Sequence, residues 1–285
     1  MKIAVLSGKG GTGKTTVAAS LAFALDACQY IDCDVEEPNG ALFLKPALHE
    51  TYQVKVRVPE VDPVKCNGCG NCARACQFHA LAVIHAATGK NIVLTFSEIC
   101  HHCGACLISC PTGAIHEAER VIGVVEADIT GTFLHGRLNI GEPISIPVIR
   151  ELKRRMDDHL PVILDCPPGA SCSVAQSIEG CDYCILVTEP TPFGLHDLKI
   201  AAALVKKMEI PCGVVINKAT DDQRMICARA LEFCQKNGIE LLLAIPFSRE
   251  IAGNYSKGIL PVQDNPEWIH RFQDIYFRVE RRVKG

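Results

Sequence analysis

Residues 2–25 place the strongest constraint on how this chain can fold. Lys2-Ile3-Ala4-Val5-Leu6-Ser7 is a short apolar run that ends abruptly in glycine. Gly8-Lys9-Gly10-Gly11-Thr12-Gly13-Lys14-Thr15-Thr16 follows, and then an apolar, alanine-rich stretch to Leu25. The order is buried strand, glycine loop, helix. Gly8 to Thr15 satisfies G-x-x-x-x-G-K-[ST]. Its glycines let successive backbone N–H groups turn toward one centre, and the helix N-terminus adds positive partial charge. Such a loop cradles phosphate. Gly8, Gly10, Gly11, Thr12, Gly13, Thr15 and Thr16 make the cradle, Lys14 reaches the β/γ-phosphates of ATP or ADP, and Thr15 ligates Mg²⁺. A chance glycine-rich turn is the plain alternative; the spacing and the flanking strand and helix speak against it.

Further apolar runs end in chemistry-bearing residues. Pro161-Val162-Ile163-Leu164-Asp165-Cys166-Pro167-Pro168-Gly169 is a strand closing on an acid, with a breaker cluster behind it. Asp165 there holds Mg²⁺ through water, although an aspartate at a strand end also serves as a turn residue. Tyr30-Ile31-Asp32-Cys33-Asp34 is a short strand closing on two carboxylates. Strand candidates recur at 121–126, 162–165, 183–188, 212–216 and 241–245, with helix-like stretches at 145–159, 195–208 and 222–237. That alternation predicts an α/β protein with a mainly parallel, doubly wound sheet, binding ligands at the C-terminal ends of its strands.

Seventeen cysteines are the compositional outlier in these 285 residues. An odd number cannot pair completely into internal disulfides, and no export signal is recognisable, so intracellular thiolates binding metal are the better reading. Eight fall into two runs, Cys66-x2-Cys69-x2-Cys72-x3-Cys76 and Cys100-x2-Cys103-x2-Cys106-x3-Cys110-Pro111, offset by 34 residues as an internal duplication. Two structural zinc sites would use separated C-x2-C pairs instead.

The runs resemble those of bacterial two-cluster ferredoxins, in which the fourth cysteine of each run serves the other cluster. The resemblance implies one [4Fe–4S] cluster on Cys66, Cys69, Cys72 and Cys110, and a second on Cys100, Cys103, Cys106 and Cys76. Gln77 departs from the pattern where proline usually follows Cys76, which touches local rigidity but not ligation. His101 and His102 lie between ligands and read as surface or hydrogen-bonding residues.

The loop Lys9-Gly10-Gly11-Thr12-Gly13-Lys14-Thr15 resembles the deviant Walker A motif of the MinD/ParA/nitrogenase-iron-protein ATPases. The whole chain is similar to MinD-superfamily ATPases carrying an inserted ferredoxin domain, including His135-Gly136-Arg137-Leu138-Asn139-Ile140-Gly141-Glu142 and the segment 188–198. The resemblance implies a P-loop NTPase fold, with the ATPase domain at 1–58 and 119–285 and the 2[4Fe–4S] ferredoxin insert at 59–118. It implies a nucleotide-sandwich homodimer in which Lys9 reaches the partner's phosphates. Asp34 would orient the attacking water, while Asn217, Pro246 and Phe247 would contact the base. Because the insert follows the strand carrying Asp34, nucleotide state could bias the clusters.

The function expected is ATP hydrolysis coupled to electron transfer or to metal or cluster assembly, with a redox or assembly protein as partner. A MinD-like positioning switch, its clusters serving as sensor or structure, is the alternative. A net charge of −3 and a pI near 6.4 argue against nucleic acid, and no apolar run approaches the roughly 18 residues that span a bilayer. The protein is expected in the cytoplasm. Cys172 reads either as packing or as a ligand for metal shared across a dimer, and Cys181-x2-Cys184 reads as core or as a metal pair. The tail from Trp268 to Lys284 is an amphipathic helix with a basic side. Packing on the sheet is the preferred reading, with membrane contact as the alternative.

Overall fold

The computed structural model describes residues 1–85, 91–220 and 224–285. In chain order the elements are β1 (Lys2–Leu6), α1 (Lys14–Phe23), β2 (Gln29–Asp32), α2 (Gly40–Leu44), β3 (Leu48–Val61), α3 (Asn71–Ala75), β4 (Leu81–His85), β5 (Asn91–Thr95), α4 (Ala105–Ile108), β6 (Ile115–Asp128) and β7 (Phe133–Leu138). They continue with α5 (Ile146–Lys153), β8 (Val162–Asp165), α6 (Cys172–Ile178), β9 (Tyr183–Thr188), α7 (Pro192–Lys207), β10 (Cys212–Ala219), α8 (Arg224–Lys236), β11 (Glu240–Pro246), α9 (Arg249–Tyr255), α10 (Pro261–Asp264) and α11 (Pro266–Lys284).

A nine-stranded sheet runs in the order β11-β10-β9-β1-β8-β2-β7-β6-β3. The pairings from β11 to β7 are parallel. Successive side chains of a strand face opposite sides of its sheet. In β1, Ile3, Ala4, Val5 and Leu6 are all fully buried, so both faces are covered. Ile3 and Val5 join one apolar cluster with α1 and α11, including Val17, Leu21, Phe272 and Ile275. This is the mainly parallel α/β architecture of a P-loop NTPase. The register places Val5 and Asp32 on either side of Asp165, so loop and acids emerge together at the C-terminal edge of the central strands.

The chain forms two compact units: Met1–Tyr52, Val125–Arg137 and Val148–Gly285 in one, Gln53–Val124 and Leu138–Pro147 in the other. In the second unit, β3 and β6 are tied by Lys55–Glu119 at 2.8 Å and Arg57–Glu117 at 3.1 Å. The β4–β5 hairpin is antiparallel. Residues 138–147 join this unit because Asn139 N–H donates to Ile122 O at 2.9 Å and Arg120 pairs with Glu142. The 34-residue repeat extends to the backbone. Gly70 and Gly104 are both left-handed, with φ of 75° and 72°, and each precedes a short helix. Two other pairs, Gly68 with His102 and His79 with Gly113, share positive φ, although glycine occupies only one member of each.

Several details differ from the sequence pattern. The helix expected at 145–159 ends at Lys153, because Asp157 Oδ1 accepts from the His159 and Leu160 N–H groups and starts a turn instead. Helix α7 begins earlier than expected, at Pro192, where Thr191 Oγ1 accepts from Gly194 N–H at 2.9 Å. Strands β3, β4, β5 and β7 lie outside the expected set, although in β3 Val54, Val56 and Val58 alternate with Lys55 and Arg57 in period two. The first residues of the helix expected at 222–237 fall outside the described residues.

Candidate functional site

Between β1 and α1 the loop is held from two sides. Ser7 Oγ donates to Lys9 O at 2.7 Å, and Asn217, on β10, donates from its amide to Thr12 O at 2.8 Å. Gly13 sits at φ 89° directly against that amide, so any side chain there would be strained and would collide. A Cβ at Gly8 would lie 2.5 Å from Asp197. Among the described residues the Thr12 hydroxyl is buried without a partner, an open polar position inside the loop.

Lys14 opens α1 and is only 6% exposed. Its Nζ lies 2.8 Å from Asp165 Oδ1 and 3.5 Å from Asp34 Oδ2. Desolvation alone would lower its pKa, but the charges of Asp165 and Asp34 reverse this and the net shift is upward. Tyr30 donates its hydroxyl to Asp165 Oδ2 at 3.1 Å. Asp32 has a different task from Asp34: its carboxyl accepts from Gly40 N–H at 2.8 Å and from Asp34 N–H at 3.1 Å, fixing the turn after β2. Burial first, and then the Asp165 charge, holds the Asp32 carboxyl well above the usual range. Asp34 is pushed up to about 6 by burial, with Lys14 pulling it down and Asp165 pushing it further up.

Lys9 is part-exposed and lies 3.6 Å from Glu189. Glu189 also binds Lys218 Nζ at 2.6 Å, and Lys218 donates to Gly11 O at 2.9 Å. Sequence reasoning missed Glu189 and Lys218 as contacts of this loop, and Tyr30 as a donor to Asp165. Glu189 lies in the segment 188–198 singled out from the sequence, which is the one signal that pointed to it.

A cavity of about 500 Å³ opens over the loop. Gly10, Gly11, Gly13, Lys14, Thr15 and Thr16 line it, together with Asp34, Asn217, Pro246 and Phe247. Gly8, Lys9, Thr12 and Asp165 do not. Thr15 offers a hydroxyl on the cavity wall as a hard oxygen donor for a divalent cation, while the Asp165 carboxylate, a second such donor, lies behind the wall and is engaged by Lys14 and Tyr30. The remaining wall includes Ile251, Tyr255 and Trp268, none of which the glycine-loop motif points to.

In the second unit each set of four cysteines surrounds its own small cavity. Cys76, Cys100, Cys103 and Cys106 line one of about 20 Å³; Cys66, Cys69, Cys72 and Cys110 line another of about 10 Å³. Backbone N–H groups aim at the sulfurs: Ala80 at Cys76 and Ala114 at Cys110, both at 3.3 Å, and His102 at Cys100 at 3.4 Å. The first two are the same contact in the two repeats. Among the described residues no three His, Cys, Asp or Glu side chains converge as ligands of one metal ion; each quartet is spread around its cavity. His101 stacks on Phe78 with centroids 3.4 Å apart.

The other cysteine candidates separate by burial. Cys181 and Cys184 are buried, and burial pushes both thiols up, Cys181 to about 12. Both are packed core residues. Cys172 is exposed at the start of α6. Helix α11 buries Phe272, Ile275, Tyr276 and Val279, so its apolar stripe faces the core. Among the described residues no helix is long and apolar enough to cross a membrane.

An uncharacterized protein of Methanocaldococcus jannaschii is 30% identical over 225 residues, covering 76% of this chain and 80% of that one. An iron-sulfur cluster carrier protein of the same organism is 24% identical over 300 residues, covering 100% of this chain and 85% of its own length. The crystal structure of the Pyrococcus furiosus cell division ATPase MinD superposes with a TM-score of 0.57 at 20% identity, covering 98% of each chain. The family model described as the CobQ/CobB/MinD/ParA nucleotide binding domain matches residues 3–262. With its glycine loop, its buried lysine and this match, the chain belongs to the CobQ/CobB/MinD/ParA nucleotide-binding family.

Proposed function

We propose that this protein is an Mg²⁺-dependent ATPase that carries two [4Fe–4S] clusters and couples nucleotide state to cluster assembly or electron transfer. The observation that carries the reading is Lys14, buried between Asp165 and Asp34 at the floor of a cavity of about 500 Å³. A lysine held charged in this way without nucleotide is ready to exchange carboxylate for phosphate oxygen. Binding then releases Asp34, which orients the attacking water. Loop N–H groups hold the β-phosphate, and Thr15 and Asp165 would hold the metal. Mg²⁺ would supply charge that neutralises the phosphate oxygens. Lys9, already near the surface and held by Glu189, is the residue that meets the partner in a nucleotide-sandwich homodimer.

The quartets support the cluster reading. Thiolates suit iron, N–H donors to sulfur stabilise the bound state, and a four-iron cluster spreads its ligands where a single ion draws them to one point. The similarity to an iron-sulfur cluster carrier protein favours cluster handling as the role. Two measurements test the proposal together. Protein prepared without oxygen should contain about eight iron per chain and hydrolyse MgATP, and Lys14→Ala should abolish hydrolysis while keeping the iron. Turnover by Lys14→Ala would remove the phosphate-loop assignment; zinc in place of iron would remove the cluster assignment.

A further inference from the structure

Phosphate recognition accounts for only part of the cavity over the loop. Much of the rest of its wall is apolar and aromatic: Pro246 and Phe247 at the end of β11, Ile251 and Tyr255 on α9, and Trp268 on α11. Two polar side chains beside this wall are already engaged. Asn217 uses its amide on Thr12 O and its oxygen on Lys218 N–H, and Ser248 Oγ accepts from the Glu250 and Ile251 N–H groups. A group entering there meets surface suited to stacking more than to hydrogen bonding.

Trp268 is the chain's sole tryptophan. It stands in the first turn of α11, a helix capped by Asn265, whose Oδ1 accepts from Glu267 N–H at 2.9 Å, and anchored by Phe272, Ile275 and Val279, each 1% exposed. The Arg271 guanidinium lies 4.8 Å from the indole centroid, and Phe272 packs beside it with centroids 6.4 Å apart. The ring is therefore a half-buried plate on a rigid element. It also lies beyond residue 262, where the match to the family model ends.

We propose that the Trp268 indole is the stacking surface for the nucleotide base, which makes the C-terminal helix part of the nucleotide site. This rests on the nucleotide reading above and adds to it a base-binding residue from outside the matched family segment. Base–aromatic stacking is worth enough to change affinity roughly five- to a hundredfold.

The test uses the full chain with MgADP and, as a ligand without a base, inorganic tripolyphosphate. MgADP should change the tryptophan emission of the wild type. Trp268→Ala should raise the Kd for MgADP at least about fivefold, leave the tripolyphosphate affinity unchanged, and be largely rescued by Trp268→Phe. Normal MgADP affinity in Trp268→Ala would overturn the proposal and leave the nucleotide reading intact. Equal loss of both ligands by the Ala and Phe variants would also overturn it, by assigning Trp268 to holding the loop. A wild type that binds neither ligand would overturn both readings.

Discussion

Asp34 and Asp32 sit two residues apart and behave as different chemical groups. Sequence shows two carboxylates closing a strand; it does not show which one the turn consumes. Gly40 and Asp34 N–H groups capture Asp32, leaving Asp34 to face Lys14. The folded pKa of Asp34, raised to about 6 from 3.8, has a thermodynamic consequence. As pH falls, the folded protein takes up this proton before the unfolded chain does. Asp34 therefore costs stability as pH rises from about 4 to about 6, and the cost is constant above that window. In nucleotide-free, magnesium-free protein, the unfolding free energy of the wild type relative to Asp34→Asn should fall across that range and then level. A difference that stays flat in urea titrations at several pH values would show that Asp34 titrates normally. Gly104 offers a separate residue-level test. Its φ is 72° and an added Cβ would meet nothing within 4 Å, so strain acts alone. Gly104→Ala should cost about 1 kcal/mol in thermal unfolding, and an unchanged midpoint would contradict the left-handed turn.

Elements were legible where periodicity and punctuation agreed. The strand–loop–helix at the N-terminus, β8 with its closing acid and α11 with its apolar stripe all carry such signals. Long β3 and β6 were harder, because each crosses from one compact unit to the other and changes its burial pattern along its length. The alternation in β3 was present but lay next to the cysteine runs, which dominated that stretch. Periodicity in α11 could not say what its apolar face covers. Four of its side chains are buried in the same cluster as α1 and β1, and that favours packing over membrane contact. Ile275 is 1% exposed, so Ile275→Ala should lower the unfolding free energy by about 2–4 kcal/mol, and the wild type should not sediment with anionic vesicles. A near-neutral Ile275→Ala together with vesicle binding would restore the membrane reading.

At the scale of the whole molecule, duplication and cross-connection make separate demands. If each repeat built its own site, Cys66 to Cys76 would close around one centre and Cys100 to Cys110 around another. The cavities group the cysteines differently: Cys76 lines one with Cys100, Cys103 and Cys106, while Cys110 lines the other with Cys66, Cys69 and Cys72. The repeats are thereby locked together, since neither cavity is complete with residues from one run. This arrangement predicts opposite outcomes for two double substitutions of equal chemical severity. Cys76→Ser with Cys100→Ser strikes one cavity twice, so iron should fall from about eight to about four per chain. Cys72→Ser with Cys76→Ser lies within a single repeat but strikes both cavities, so nearly all iron should be lost. MgATP hydrolysis should persist in both, because the glycine loop, Lys14 and Asp165 belong to the other unit. Iron analysis of anaerobically prepared protein separates the cases. Retention of about half the iron by the Cys72/Cys76 variant, with nearly complete loss in the Cys76/Cys100 variant, would mean that each repeat binds its own cluster and that the grouping around the cavities does not describe the ligands.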